Sequence, residues 1–540
     1  MKNVILVIIV FLFASGMLAD GAKYLIITHD NFYDAIQPLA QWKHKKGIPT
    51  KVVRLSEIGA LPESIARIKN YIVNAYNTWN PRPEYVLLVG SPDYIRSYQN
   101  AFDDYYADMA GNYLMELSVG RFSVSNPSQC SVVVAKTLGY EQTPFLADTT
   151  WFKKGMAIIR EQINPPIDSL YWNSARYCAE LMRGTGFVHI DTFSRNQGDS
   201  ARHIEQAITD GRTYVVYQGI GIVTWWVPFS VDTARINNGF KLPVVISACS
   251  PTVNLYDTSP YLGENLQRAG NLQNPKGSIG FWGTTQSGEN YEISRVTAAK
   301  GFFRSVFLDG VYNLGDAAKR AKFILDSIHP PYYNTTRYRE WNLLGDPELN
   351  LWTAVPKPLT VTYDSIIHPT PTNITITVTS NGTPIPNALI CLMKDTTIYE
   401  YGYSDSNGTR VFSISPQDTC SISITVTARN CHPFEGIISV LSTGVEEIAS
   451  HSLAMTLGAK VYPNPVKALS VIRYMLPTEG KVLLQLYDIS GRLVKTLVDE
   501  NKNPGNYELT LNTKNLSAGV YFLSLETEEK RIIERLIIIK

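Results

Sequence analysis

Residues 214–226 read YVVYQGIGIVTWW, and residues 242–251 read LPVVISACSP. Each is an apolar, β-branched run that stops abruptly at small residues, Gly219-Ile220-Gly221 in the first and Ala248-Cys249 in the second, as a buried strand does on entering a tight turn. Between residues 20 and 353 such runs alternate with amphipathic stretches, among them ESIARIKNYIVNAYNTW and DSLYWNSARYCAELMRG. The alternation predicts an α/β domain with a mainly parallel sheet and flanking helices, in two subdomains of about 20–145 and 146–353. In such sheets, residues just past the carboxyl ends of neighbouring strands converge on one crevice. Cys249 therefore stands where a nucleophile would stand, and Ile220 closes the partnering strand.

These strand ends resemble those of the gingipain-type cysteine peptidases, family C25, in which a strand ending Tyr-x-Gly-His-Gly supplies a histidine and one ending Ala-Cys supplies the nucleophile. Tyr217, Gly219, Gly221 and Cys249 match the pattern, whereas the histidine position is Ile220. Further segments follow in the family's order: KYLIITHDNF, EYVLLVGSPDY, the Glu116-x-x-x-Gly120-Arg121 strand, GSIGFWGTTQSG and WNLLGDPELNL. The resemblance implies a caspase-like fold and places Glu116 at the position that orients the histidine. It also offers the backbone amides of Gly221 and Cys249 as an oxyanion hole.

Beyond VPKP at 355–358 the texture changes to threonine- and valine-rich alternation with Asn-Gly turns at Asn381 and Asn407, which predicts an immunoglobulin-like β-sandwich over 357–445. A polar linker, 446–458, leads to residues 459–540. There Pro463-Asn464-Pro465, Tyr487-Asp488 with Gly491-Arg492, Ser517-Ala518-Gly519-Val520-Tyr521 and the basic end at Lys540 resemble the C-terminal sorting domain of type IX secretion. Residues 1–19 read as a secretory signal: one lysine, a short apolar run and small residues near Ala19. The run is too short to span a bilayer, and no second span follows. The implied location is extracellular, or on the outer-membrane surface of a two-membraned bacterium, with the type IX machinery as a partner.

The chain has 49 Lys plus Arg against 48 Asp plus Glu, a net charge of +1 that gives no support to a nucleic-acid partner. Its six cysteines are too dispersed for a disulfide framework, although Cys420 and Cys431 can bridge adjacent strands, and no Cys/His spacing suggests zinc. No cofactor is called for. Asp103, Asp104 and Asp108 can hold calcium or form a solvated acidic loop. A cysteine peptidase needs an imidazole beside its thiol, and isoleucine neither takes nor returns a proton. His29, at the end of the first strand, shares the cysteine's edge if the strands are all parallel. Trp225, Trp226 and Trp282 either line a cleft or fill the core. The leading expectation is an exported, surface-displayed C25 homologue with lost or severely reduced hydrolysis that serves as a binding or structural component, with a protein or peptide as the candidate ligand or substrate. One alternative is an active cysteine endopeptidase using another base; the other is an adhesin acting through its β-modules.

Overall fold

The computed structural model describes residues 21–540 apart from 62–63, 162–163, 289–290, 331–334, 396, 443–457, 463–465, 467–468, 477, 489–491, 528–530 and 539–540. The expected signal segment 1–19, most of the linker, Pro463-Asn464-Pro465, Gly491 and Lys540 lie outside the described residues. Ten strands form one sheet in the order β2 (Thr50–Arg54), β1 (Tyr24–Thr28), β3 (Tyr85–Val89), β4 (Ser118–Phe122), β12 (Trp341–Leu344), β11 (Gly280–Thr284), β10 (Val244–Ala248), β7 (Tyr214–Gln218), β5 (Lys154–Ile159) and β6 (His189–Ser194). A two-stranded hairpin, β8 (Ile220–Ile222) and β9 (Trp225–Val227), follows β7.

The central strands YLIIT, YVLLV and YVVYQ are buried throughout because helices cover both faces of the sheet. In chain order these helices are α1 (Tyr33–Lys45), α2 (Ile65–Thr78), α3 (Pro127–Glu141), α4 (Pro165–Gly184), α5 (Ala201–Asp210), α6 (Leu262–Arg268), α7 (Glu292–Phe307) and α8 (Leu314–Ile328). Ser64 and Asn126 start α2 and α3 by accepting from the amides of Arg67 and Gln129. Helices α4, α7 and α8 pack on one face of the β5–β7–β10–β11 half; α5, α6 and the hairpin's Trp226 pack on the other.

The two halves of the sheet run in opposite directions. β12 is parallel to β4 but antiparallel to β11, so β1 to β4 point against β5, β7, β10 and β11. The carboxyl ends of β7 and β10 thus share an edge with the amino end of β4, and His29, after β1, lies on the opposite edge. This corrects the expectation that His29 shares the cysteine's edge. His29 instead accepts from the Asn31 amide through Nδ1 at 3.2 Å and packs edge-on against Tyr94.

The Gly-Arg and Leu-Gly-Asp-Pro motifs serve the seam between the halves. A Cβ on Gly120 would lie 2.3 Å from the Gly345 carbonyl, so only glycine lets the two segments approach. Arg121 is fully buried and donates to both Asp103 carboxylate oxygens, at 2.7 Å each, and to the carbonyls of Gly90 and Ile95.

The strands between residues 360 and 440 form two sheets, one of four strands and one of five, where the β-sandwich is expected. The Asn381-Gly382 turn has the positive φ values that an Asn-Gly pair tolerates. This module belongs to the same compact unit as the α/β domain. Tyr399 stacks on His44 at 4.0 Å and donates to its carbonyl, and Asn430 accepts from the amides of Thr353 and Ala354. Cys420 and Cys431 are free thiols. Each opens its strand, and the first residues of successive hairpin strands fall at opposite ends, which rules out the bridge allowed by sequence.

The chain after residue 440 is the body of a second unit, a sandwich with its own core of Leu484, Leu486, Leu523, Leu525 and Leu536. Its sequence motifs make turns: Asp488 accepts from the Arg492 amide and guanidinium, and the Tyr521 hydroxyl donates to the Ser517 carbonyl.

Candidate functional site

β7 and β10 are adjacent, parallel and in register, with Gln218 opposite Ala248, so Gly219 and Cys249 leave the sheet side by side. Beyond Gly219 the chain folds back as the β8–β9 hairpin, with Ile220 opposite Val227 and Ile222 opposite Trp225. The Tyr217 hydroxyl lies 2.8 Å from the Ile220 carbonyl and 2.6 Å from that of Val227. The hairpin tip is held where Leu262 donates to the Val223 carbonyl at 2.9 Å. Gly221 lies directly against the cysteine: a Cβ there would sit 2.5 Å from the Ser250 carbonyl, 2.8 Å from Cys249 Sγ and 2.9 Å from Thr252 Cγ2.

Cys249 is accordingly sealed, with no exposed surface. Its sulfur is 3.2 Å from Ser247 Oγ and 3.9 Å from Thr252 Oγ1, and Ser247 Oγ also accepts from Thr252 and from Trp226 Nε1. Burial pushes the thiol up to about 11, against the opposing pull of the Ser247 hydroxyl, Arg295 and Thr252. At neutral pH roughly one such thiol in ten thousand is ionised. Among the described residues no histidine is within hydrogen-bond reach of the sulfur: His189 pairs with Asp191, His203 with Asp199, and His329 with Thr297.

Two of the expected roles do not fit this geometry. The Cys249 amide donates to the Ser247 carbonyl at 3.1 Å, so it is engaged rather than offered to an oxyanion. Glu116 precedes β4 on the same edge but three strands from β10, about 14 Å away at ordinary strand spacing. Its carboxylate accepts from the Met109 amide at 2.6 Å, a turn-forming role, and it lines a cleft of about 180 Å³ with Arg82, Tyr85, Asp316 and Lys319.

The ionic pair near the cysteine is a different one. Arg295 of α7 donates to both oxygens of Glu340, at 3.1 and 2.8 Å, and its Nη1 is 3.5 Å from Ser250 Oγ. Burial pushes Glu340 up to about 7 even with Arg295 opposing. Sequence reading missed the pair, although Glu340 immediately precedes the WNLLGDP motif.

Asp103, Asp104 and Asp108 form neither a solvated loop nor an open cation site, since all three are buried and engaged. Asp103 pairs with Arg121, Asp104 with Lys322 and Arg339, and Asp108 accepts from the amides of Asn112 and Tyr113. Another carboxylate group close enough to share a cation, Glu141, Asp346 and Glu348, already surrounds the ammonium groups of Lys43 and Lys46 at 2.6 to 2.8 Å. Trp226 and Trp282 are core residues, the former stacked on Tyr217, while Trp225 is 38% exposed at the hairpin.

Comparison with known proteins agrees with this architecture. Gingipain R2 of Porphyromonas gingivalis is 22% identical over 96% of this chain and 68% of its own length; a Lys-gingipain of the same species is 23% identical over 81% of this chain and 27% of its own. Among solved structures, the complex of the pro- and mature domains of P. gingivalis RgpB superposes with a TM-score of 0.71 at 19% identity, covering 78% of this chain and 100% of that one. The arginine-specific cysteine proteinase gingipain R gives 0.70 at 19% identity, covering 78% and 98%. At these identities the superpositions establish the fold alone, a caspase-like one. Residues 460–540 match the secretion system C-terminal sorting domain, and a gingipain homologue with this type IX tail is secreted or surface-attached. Among the described residues no helix is long and apolar enough to cross a membrane. Residues 18–352 match peptidase family C25, and the chain belongs to that family.

Proposed function

We propose that this protein is an exported gingipain-like member of its family in which peptide hydrolysis is lost or severely impaired, and that it acts by binding polypeptide. The observation that carries the reading is the environment of Cys249: a sealed thiol among hydroxyls, with Ile220 at the position matching the family's histidine. Cysteine attack requires a thiolate and a group that returns the proton to the leaving amine. Ser247 and Thr252 hydroxyls supply neither at neutral pH, and Arg295 holds Glu340 in an ion pair. Where nucleophile and base act as a unit, removing one costs on the order of a million-fold in turnover. The reading needs no cofactor.

Thiol labelling tests it. A peptidyl chloromethyl ketone is expected to modify Cys249 no faster than the buried Cys130 and Cys178, as followed by peptide mass spectrometry. Rapid labelling confined to Cys249 at neutral pH would overturn the reading and support a working cysteine endopeptidase.

A further inference from the structure

β5, β7 and β10 are consecutive parallel strands in which Ile159 lies opposite Gln218 and Gln218 opposite Ala248. The next residues, Arg160, Gly219 and Cys249, form a row across the carboxyl edge. Side chains alternate along a strand, so this row shares the face that buries Ile158, Tyr217 and Cys249. Two strand spacings separate its ends, about 10 Å between Arg160 and Cys249. The middle residue has no side chain. A Cβ on Gly219 would lie 2.5 Å from the Tyr217 hydroxyl and 2.6 Å from Arg160 Cβ, so the arginine stem and the phenol flank that gap.

Arg160 is half-buried, and it differs from the buried arginines here. Arg121 and Arg295 are saturated by carboxylates and carbonyls. Arg160 Nη1 is buried without a hydrogen-bond partner, and no carboxylate among the described residues is in ion-pair range of the guanidinium. The adjacent Glu161 is spent on Trp172, Ser194 and the Asn196 amide. Leaving a charged donor buried and unpaired is costly, and a planar carboxylate is the complement a guanidinium fork fits.

We infer that Arg160 is a carboxylate-recognition residue at the carboxyl edge of the sheet, two strands from the sealed cysteine, and that the polypeptide bound there presents an acidic side chain or a free C-terminus to it. This rests on the polypeptide-binding reading above and names its ligand class.

The test uses the full chain and three fluorescein-labelled octapeptides of alanine and serine: one with a central glutamate and an amidated end, one with glutamine there, and the glutamine peptide with a free C-terminus. At least one carboxylate peptide is expected to bind about tenfold or more tighter than the neutral one, as a charge-assisted contact gives. Arg160→Gln should erase the preference and Arg160→Lys retain part of it. The arm that gains identifies the carboxylate's source. Equal affinity for all three, no binding of any, or a preference surviving in Arg160→Gln would overturn the inference. The wild-type comparison decides even if a variant folds poorly. Cys249-dependent cleavage of these peptides would instead overturn the loss of hydrolysis and leave carboxylate recognition to be read from the affinities.

Discussion

Replacing Gly221 by alanine tests whether the β8–β9 hairpin seals the thiol. The added methyl would sit 2.5 Å from the Ser250 carbonyl, 2.8 Å from Cys249 Sγ and 2.9 Å from Thr252 Cγ2. The carbonyl is main chain and the other two atoms belong to short buried side chains, so relief requires the hairpin to lift. Overpacking of this kind costs about 1–3 kcal/mol. If about 2 kcal/mol falls on the opening of the hairpin alone, access to the sulfur rises roughly thirtyfold. The assay is iodoacetamide labelling of the native protein at pH 9, with Cys249 occupancy followed by peptide mass spectrometry and melting measured in parallel. Gly184→Ala is the control, since nothing lies within 4 Å of a Cβ at that helix end. A Gly221→Ala protein with unchanged Cys249 labelling and unchanged melting would refute the packing argument.

Three further outcomes are expected. Arg121→Met leaves Asp103 buried without its partner and should lose about 3–5 kcal/mol in urea unfolding, against a smaller loss for Arg121→Lys; a loss below 1 kcal/mol would contradict the anchoring role. Because burial raises the Cys249 thiol to about 11, its thiolate fraction grows with every step of pH below that value. Alkylation should therefore climb about tenfold per pH unit from 7 to 9.5 without levelling, and a plateau near pH 7 would mean an activated thiolate. A truncation ending at Thr443 should keep its fold by circular dichroism but lose secretion, since residues 458–538 have their own sheets and core; unchanged secretion would contradict the sorting role of the tail.

What the sequence made legible were features written locally. The β-branched runs ending at Gly219 and Cys249 mark two neighbouring strands, and their small terminal residues reflect real crowding, with Gly221 pressed against the sulfur. The Asn381-Gly382 turn and the alternating strands of the tail are also local signals. What stayed hidden depends on contacts between distant parts of the chain. The direction of each half of the sheet is set by β12, which enters from residue 341 to join β4 and β11, and no local pattern near His29 records it. Asp104 looks like part of a solvated acidic run until Lys322 and Arg339 close over it. Arg295 and Glu340 belong to segments whose visible features are helical periodicity and a strand, and their pairing beside Ser250 exists only in three dimensions.

The most direct test of the central claim is exposure of the purified chain to a diverse peptide library, beside its Cys249→Ala counterpart, with products read by mass spectrometry. Identical product profiles, with no cleavage attributable to Cys249, are expected from a sealed thiol that has hydroxyls but no imidazole within reach. Cleavage by the wild type that disappears in Cys249→Ala would contradict the account and establish this chain as a working cysteine peptidase.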